Sequence, residues 1–336
     1  MIADSTAQTL GPLFMNPDPD EARAYFRSKS RMKANKLMSL KEAVEKFVHD
    51  GDYLAMGGFG TNRTPVAACQ EIVRQGRKNM GFAGHTSTHD FQILATGEVF
   101  DRVDIASIIG LETRGMSPCA RAYMESGRVR ICEWTNFSLA ARLKAAAMGI
   151  PFLPTRNMLG TDTLRQSGAK VVTCPFTGKR LVLQPALYPD VSVIHVHEAD
   201  IYGNCRIRGI TISDDDLAGA SRKLIITTER LIPTEEIRSD PALTSIPYYL
   251  VDAVCEVPYG AYPTGMPGEY YSDEAHLKEW LTAQGDPAAF ASFLKRIIHD
   301  CPDHAAYIEL AGGIGRIKEL RARELMLHKE GIREEL

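Results

Sequence analysis

The stretch Asp50-Gly-Asp-Tyr-Leu-Ala-Met-Gly-Gly-Phe-Gly-Thr-Asn-Arg-Thr-Pro65 constrains this chain more than any other. Tyr53 to Met56 reads as a buried strand that runs straight into Gly57-Gly58-Phe59-Gly60. A polar turn follows, and Thr64 is predicted to cap a helix with Pro65 at its first position. Glycine here opens left-handed backbone and removes each Cβ that would hold another group off the main chain. Unpaired N–H groups of Gly57, Gly58 and Phe59 are therefore expected to face a ligand oxygen. The competing reading is a tight strand-to-helix turn that needs glycine for geometry alone, which is all a lone Gly-Gly pair would imply.

The surrounding sequence alternates in a way that sets the fold class. Ser39-Leu-Lys-Glu42 is a capping box, and Ala43, Val44, Phe47 and Val48 follow at helical spacing to a stop at Gly51. After a helix over 65–74 come an apolar strand over 80–83, a polar loop at His85-Thr-Ser-Thr-His-Asp90 and a helix over 91–96. A strand over 103–109, a helix entered at Ser117-Pro118, a strand over 129–133 and a helix over 137–148 complete this run, with Leu139, Leu143 and Ala146 inward. Such alternation predicts an α/β fold, an open and mostly parallel sheet with helices on both faces. Ligands of these sheets sit at the carboxyl ends of the strands. The Gly57 loop, the His85 loop and the Glu133-Trp-Thr-Asn136 turn are therefore expected along one edge.

Beyond 150 the pattern is less regular. Pro151-Phe-Leu-Pro154 is read as the end of the run, Gly160-Thr-Asp-Thr163 as a short polar helix or loop, and 171–173 with 181–183 as a hairpin around Phe176-Thr-Gly178. A buried strand over 191–196, a helix capped by Ser213-Asp-Asp-Asp216, and strands over 224–228 and 250–257 follow. Helices are predicted over 274–281, 288–298 and 317–330, with Gly312-Gly-Ile-Gly315 as a linker. The resulting organisation is an N-terminal extension over 1–36, wrapped on the surface or on a partner, an α/β domain over 37–260, and a Tyr- and Pro-rich segment with a helical cap over 261–336.

Composition excludes several classes. A net charge of −3 and a pI near 6.3 give no footprint for nucleic acid or an anionic membrane surface. Seven cysteines with no Cys-x-x-Cys pair read as reduced thiols, and neither a signal sequence nor a run of ~20 apolar residues is visible, so a cytoplasmic location is expected. His195-Val-His197 alternates along a strand with no third ligand at zinc-like spacing. No metal is expected, and His195 is read as a hydrogen-bonding residue at a strand end. Gly-x-Ser-x-Gly and the dinucleotide fingerprint are both absent.

The spacing of Asp50-Gly51, Gly57-Gly58-Phe59 and Pro65 resembles the N-terminal signature of the family I coenzyme A-transferases. One usual glycine is replaced by Arg63, as in the glutaconate CoA-transferase branch. The likeness to the A subunits of this family extends over residues 38 to 315, through Ala145-Ala-Ala-x-Gly-x-Pro-Phe-Leu-Pro154, His195, Glu235-Glu-Ile-Arg238 and Pro258-Tyr-Gly-Ala261. The resemblance implies a heteromeric acyl-CoA:carboxylate CoA-transferase of A2B2 assembly, in which the partner is the B subunit. Coenzyme A thioester would be the substrate and no cofactor permanently bound. The nucleophilic glutamate would lie on the partner, because its Ser-Glu-Asn-Gly type motif occurs nowhere in these 336 residues. Gly57, Gly58 and Phe59 would then form the oxyanion loop. Arg63 is a candidate for holding a carboxylate or phosphate bidentately, with Asn62, Asn136 and Thr161 as further substrate-binding candidates. Two alternatives stand beside this reading. One is the A subunit of a CoA-thioester ring-cleaving hydrolase, in which counting back from Pro151 places that enzyme's own glutamate at Asn136 here, one helical turn after Glu133. The other is a non-catalytic CoA-ester-binding protein.

Overall fold

The alternation becomes a parallel sheet. In the computed structural model, which describes residues 9–106 and 114–326, α1 (Pro19–Ser28) and α2 (Leu40–Phe47) precede β1 (Tyr53–Met56), α3 (Val66–Arg74), β2 (Met80–His85), α4 (His89–Thr96) and β3 (Phe100–Ala106). Next come α5 (Pro118–Glu125), β4 (Arg130–Glu133), α6 (Asn136–Met148), β5 (Phe152–Thr155), α7 (Asp162–Gln166), β6 (Lys170–Thr173) and β7 (Arg180–Pro185). The chain then runs through β8 (Val191–Ala199), β9 (Cys205–Arg206), α8 (Asp214–Ala220), β10 (Lys223–Leu231), α9 (Thr234–Ser239) and β11 (Ala253–Glu256). Helices α10 (Glu274–Ala283), α11 (Pro287–Leu294), α12 (His304–Leu310) and α13 (Gly313–Glu324) complete it.

The main sheet has the order β11-β10-β8-β1-β2-β3-β4, all parallel, with the short β9 antiparallel to β8. β1 lies inside it and is buried on both faces, which is why all four of its residues are apolar. Leu54 and Met56 join a core with α3, α4 and the C-terminal helices; Tyr53 and Ala55 join the opposite core with α6 and α8. The two faces are thus covered as the sequence pattern requires. Among the described residues no helix is long and apolar enough to cross a membrane.

Several local expectations are corrected. Pro65 rather than Thr64 occupies the cap position of α3, because the Thr64 hydroxyl is recruited by the loop and donates to Gly60 O at 3.1 Å. Pro151–Pro154 does not simply end a run: β5 pairs antiparallel with β7, making a three-stranded insert of order β5-β7-β6. Pro154 is tolerated there because β5 is an edge strand. The strand expected over 250–257 shortens to Ala253–Glu256, with a 3-10 turn at Tyr248–Leu250 after Pro247. The Gly312–Gly315 stretch is not a linker: Gly312, at φ 110°, caps α13, and the next three residues form its first turn. Residues 107–109 of the predicted third strand, 327–330 of the predicted last helix, and 1–8 of the extension lie outside the described residues. From residue 9 on, the extension lies against the body. Leu10 N–H donates to Arg165 O, Lys36 N–H to Ile201 O, and Ala22 is buried.

Candidate functional site

The carboxyl ends of β1, β2 and β4 meet at one place. Gly60 N–H donates to Thr86 O at 3.1 Å, and the Thr88 hydroxyl donates back to Gly60 O, so the glycine loop and the loop after β2 are tied together. The Phe59 and His85 rings lie 6.2 Å apart, and the His85 ring reaches the Asn136 backbone at the start of α6. The predicted gathering of these three segments on one edge is what the sheet produces.

The loop itself differs from a row of waiting donors. Gly57 N–H continues the sheet by donating to Val193 O at 2.8 Å, and Phe59 N–H closes on Asn62 O at 2.9 Å. Gly58 N–H donates to a side-chain carboxylate, Asp214 Oδ1, at 2.9 Å. Each expected donor therefore has an internal acceptor, since a buried amide without one would cost free energy. Only the Gly58 amide faces an anionic oxygen.

Arg63 sits beneath this arrangement. Its side chain is fully buried, its Nη2 lies 2.6 Å from Asp214 Oδ2, and the same atom donates to Ile210 O. Its φ is 56°, a left-handed value that glycine adopts without strain, which accounts physically for the glycine usual at this position. Burial pushes the Asp214 carboxyl up from its ordinary value, while Arg63 and the Gly58 amide pull it down. Asn62 is exposed. Thr161 is occupied at home: its hydroxyl caps α7 by accepting from Leu164 N–H and donates to Met158 O. Asn136 opens α6, and its Oδ1 is buried without a hydrogen-bond partner among the described residues, as are Thr86 Oγ1, Ser213 Oγ and Arg63 Nε and Nη1. Unpaired buried polar atoms in such number around one loop ask for an explanation.

Asp214 and Ser213 were legible only as the start of a helix. The structure keeps both at the start of α8 and also places them against the glycine loop, where Ser213 makes no side-chain cap bond. Three consecutive acidic residues after a serine were the available signal, and nothing local distinguishes a solvated first turn from a carboxylate aimed at a distant loop. Farther along the sheet, His195 lies within β8 and pairs with Thr227 Oγ1 at 2.9 Å and Glu229 Oε1 at 2.7 Å. His197 Nδ1 accepts from Arg208 N–H, and its Nε2 lies 2.8 Å from Pro267 O.

Burial has a pH consequence. It pushes His85, His197 and His304 down to about 4 and His89 to about 3. Unfolding returns each to an ordinary value of about 6.5. The unfolded chain thus binds more protons below that pH. The stability these residues contribute is whole above about 6.5 and is lost as pH falls toward about 4. Urea midpoints are expected to drop between pH 7.5 and pH 5; a midpoint that holds or rises would contradict this burial.

Comparison with known proteins agrees with the geometry. The family profile described as Coenzyme A transferase matches residues 37–257. The A subunit of glutaconate CoA-transferase from Acidaminococcus fermentans is 33% identical over 83% of this chain and 92% of its own length. The A subunit of 3-oxoadipate CoA-transferase from Pseudomonas knackmussii is 32% identical over 81% of this chain and 96% of its own. The crystal structure of glutaconate coenzyme A-transferase from A. fermentans matches with a TM-score of 0.78 at 32% identity, covering 82% of this chain and 93% of that one. A glycine loop at the carboxyl edge of a parallel sheet, a profile match over most of the chain and two relatives of the A type converge, and the chain belongs to the family I coenzyme A-transferases, in their A-subunit line.

Proposed function

We propose that this chain is one half of a heteromeric acyl-CoA:carboxylate CoA-transferase, with the nucleophilic glutamate supplied by a B subunit in an A2B2 assembly. The observation that carries the reading is the Gly58 amide set on a carboxylate oxygen, in a loop whose neighbouring carboxylate, Asp214, is locked in an ion pair with Arg63. A carboxylate so held is a poor nucleophile, and no Ser-Glu-Asn-Gly type motif occurs in the chain. Both relatives are by name the A subunits of their enzymes, which supports a partner chain here.

In the proposed reaction the partner's glutamate oxygen bonds to the acyl carbon as the C–S bond breaks and CoA leaves as thiolate. The thiolate then attacks the glutamyl carbonyl of the anhydride, releasing the acyl group as a carboxylate. A second acid regenerates the anhydride and takes the CoA by the reverse steps. Each addition makes an oxyanion, and the Gly58 amide would exchange the Asp214 oxygen for it. A donor so placed contributes about 3–4 kcal/mol. Asn62, exposed within the loop, and Asn136, at the start of α6, would line the substrate, with Arg63 setting the loop from below. Coenzyme A enters only as thioester substrate, with no resident cofactor in the scheme.

Trapping tests this directly. The co-purified complex, given acyl-CoA without acceptor and then borohydride, is expected to carry a reduced glutamate on the partner chain. This chain alone is expected not to exchange CoA between acids. Label at Glu133 would overturn the partner-borne nucleophile, and rapid CoA release with no trapped ester would bring the ring-cleaving hydrolase type of chemistry forward. Asn136 argues against that chemistry, since an amide cannot serve as the general base.

A further inference from the structure

We propose that the cavity between α2, α3, α12 and the segment following β11 binds a small uncharged molecule, an apolar body that carries a hydroxyl group. The proposal does not depend on the transferase reading. The cavity has a volume of about 580 Å³, the size of a small-molecule site. Its walls are fastened to one another. Ala67 N–H donates to Gly260 O at 3.0 Å, tying α3 to the segment after β11, and His304 Nε2 donates to Tyr259 O at 2.7 Å, tying α12 to the same segment. None of the described residues lining it borders the small pocket against Gly57, Gly58 and His85.

His304 sets the chemistry of the occupant. It lines the cavity, is 7% exposed, and its Nδ1 is buried with no hydrogen-bond partner among the described residues. A carbonyl oxygen only accepts, so the contact with Tyr259 O requires the proton on Nε2 and leaves a lone pair on Nδ1. Burial pushes the ring down to about 4, which keeps it neutral at pH 7 and Nδ1 an acceptor. A buried acceptor costs free energy until a donor reaches it. Arg74 lines the same cavity, and its Nη2 is likewise buried and unpaired among the described residues. An oxygen that accepts as well as donates therefore suits the cavity better than an N–H group, and a hydroxyl is such an oxygen.

The charges of the lining argue for a neutral molecule. Arg74 Nη1 donates to Glu71 Oε2, and Glu71 Oε1 accepts from Gln75 Nε2 at 2.7 Å, so this pair is compensated within the protein. Toward solvent, Glu256 accepts from Leu231 N–H and Asp303 from Ala306 N–H. Lys41 and Glu309, both exposed, are opposite in sign. Neither sign of ion is favoured over the other, and either would give up its hydration on entering. The remaining wall is apolar: Leu40, Val257, Pro258, Ile308 and Ile314 contribute to it, and Ile314 is 49% exposed. An apolar body seated there removes that surface from water.

The test uses the full chain in its co-purified assembly and four probes of one shape: 2-phenylethanol, ethylbenzene, phenylacetate and phenethylammonium, each titrated by ligand-detected saturation-transfer NMR. Wild type is expected to bind 2-phenylethanol about tenfold more tightly than ethylbenzene, the size of one or two hydrogen bonds made to buried unpaired groups. Both ions are expected to bind at least about tenfold more weakly than the alcohol. His304→Gln keeps a donor for Tyr259 O and removes the Nδ1 acceptor; it is expected to bring the alcohol down to the level of ethylbenzene and leave ethylbenzene unchanged. Ala305→Trp, at an exposed position on the cavity wall, is expected to abolish binding of both. Equal binding of alcohol and hydrocarbon by wild type would overturn recognition of a hydroxyl, as would indifference of the alcohol to His304→Gln. Tighter binding of either ion would overturn the uncharged class. Absence of binding by every probe, or binding that survives Ala305→Trp, would overturn the site itself.

Discussion

Asp214→Ala is expected to lower the free energy of unfolding by about 3–5 kcal/mol, because it leaves the Arg63 guanidinium buried with no counter-charge. The side chains of the pair are 0% and 1% exposed, so water cannot replace the missing partner. Removal also takes the acceptor from Gly58 N–H. The double variant Arg63→Met, Asp214→Leu is expected to recover much of the loss, since the cost lies in the orphaned charge more than in the pair's own attraction. Guanidinium chloride unfolding followed by circular dichroism measures both. A single variant within ~0.5 kcal/mol of wild type, the range of a surface substitution, would mean that the ion pair does not hold the loop.

Gly58→Val is expected to lower kcat of the assembled enzyme by about 100-fold or more, the scale of losing one oxyanion donor. Gly58 holds φ 84°, and a Cβ there would sit 2.7 Å from the carbonyl oxygens of both Asn62 and Arg63. Those atoms are backbone and cannot rotate aside. The added side chain thus meets the loop's own return strand before it meets any ligand, and the amide must swing off its position. Gly57→Ala approaches from the other side, since its Cβ would lie 2.5 Å from Asp214 Oδ1. Both variants should lose CoA exchange while retaining helical circular dichroism. Wild-type turnover from a folded Gly58→Val complex would leave the loop as a turn and nothing more.

The sheet and its covering helices were legible because they depend on periodicities that act over a few residues. Tyr53–Met56 is apolar throughout because an inner parallel strand is buried on both faces, and Ser39 with Glu42 makes both bonds of its capping box. The meeting of the glycine loop, the His85 loop and the start of α6 was legible too, since strand ends in a parallel sheet share an edge. Local patterns failed where a side chain had two possible partners. The Thr64 hydroxyl prefers Gly60 O to the helix it precedes, and Ser213 leaves its helix uncapped.

What the sequence by itself determined is the fold class, the glycine loop and the family, all carried by short-range spacing. Only the tertiary structure decided what the loop's amides face. Asp214 lies far along the chain from Gly58 and Arg63, yet the ordering of β8 beside β1 brings it onto both. Whether an arginine at the usual glycine position meets substrate, solvent or a buried carboxylate is settled by which strands are neighbours. That ordering comes from packing between segments remote in sequence, and no local pattern of residues encodes it.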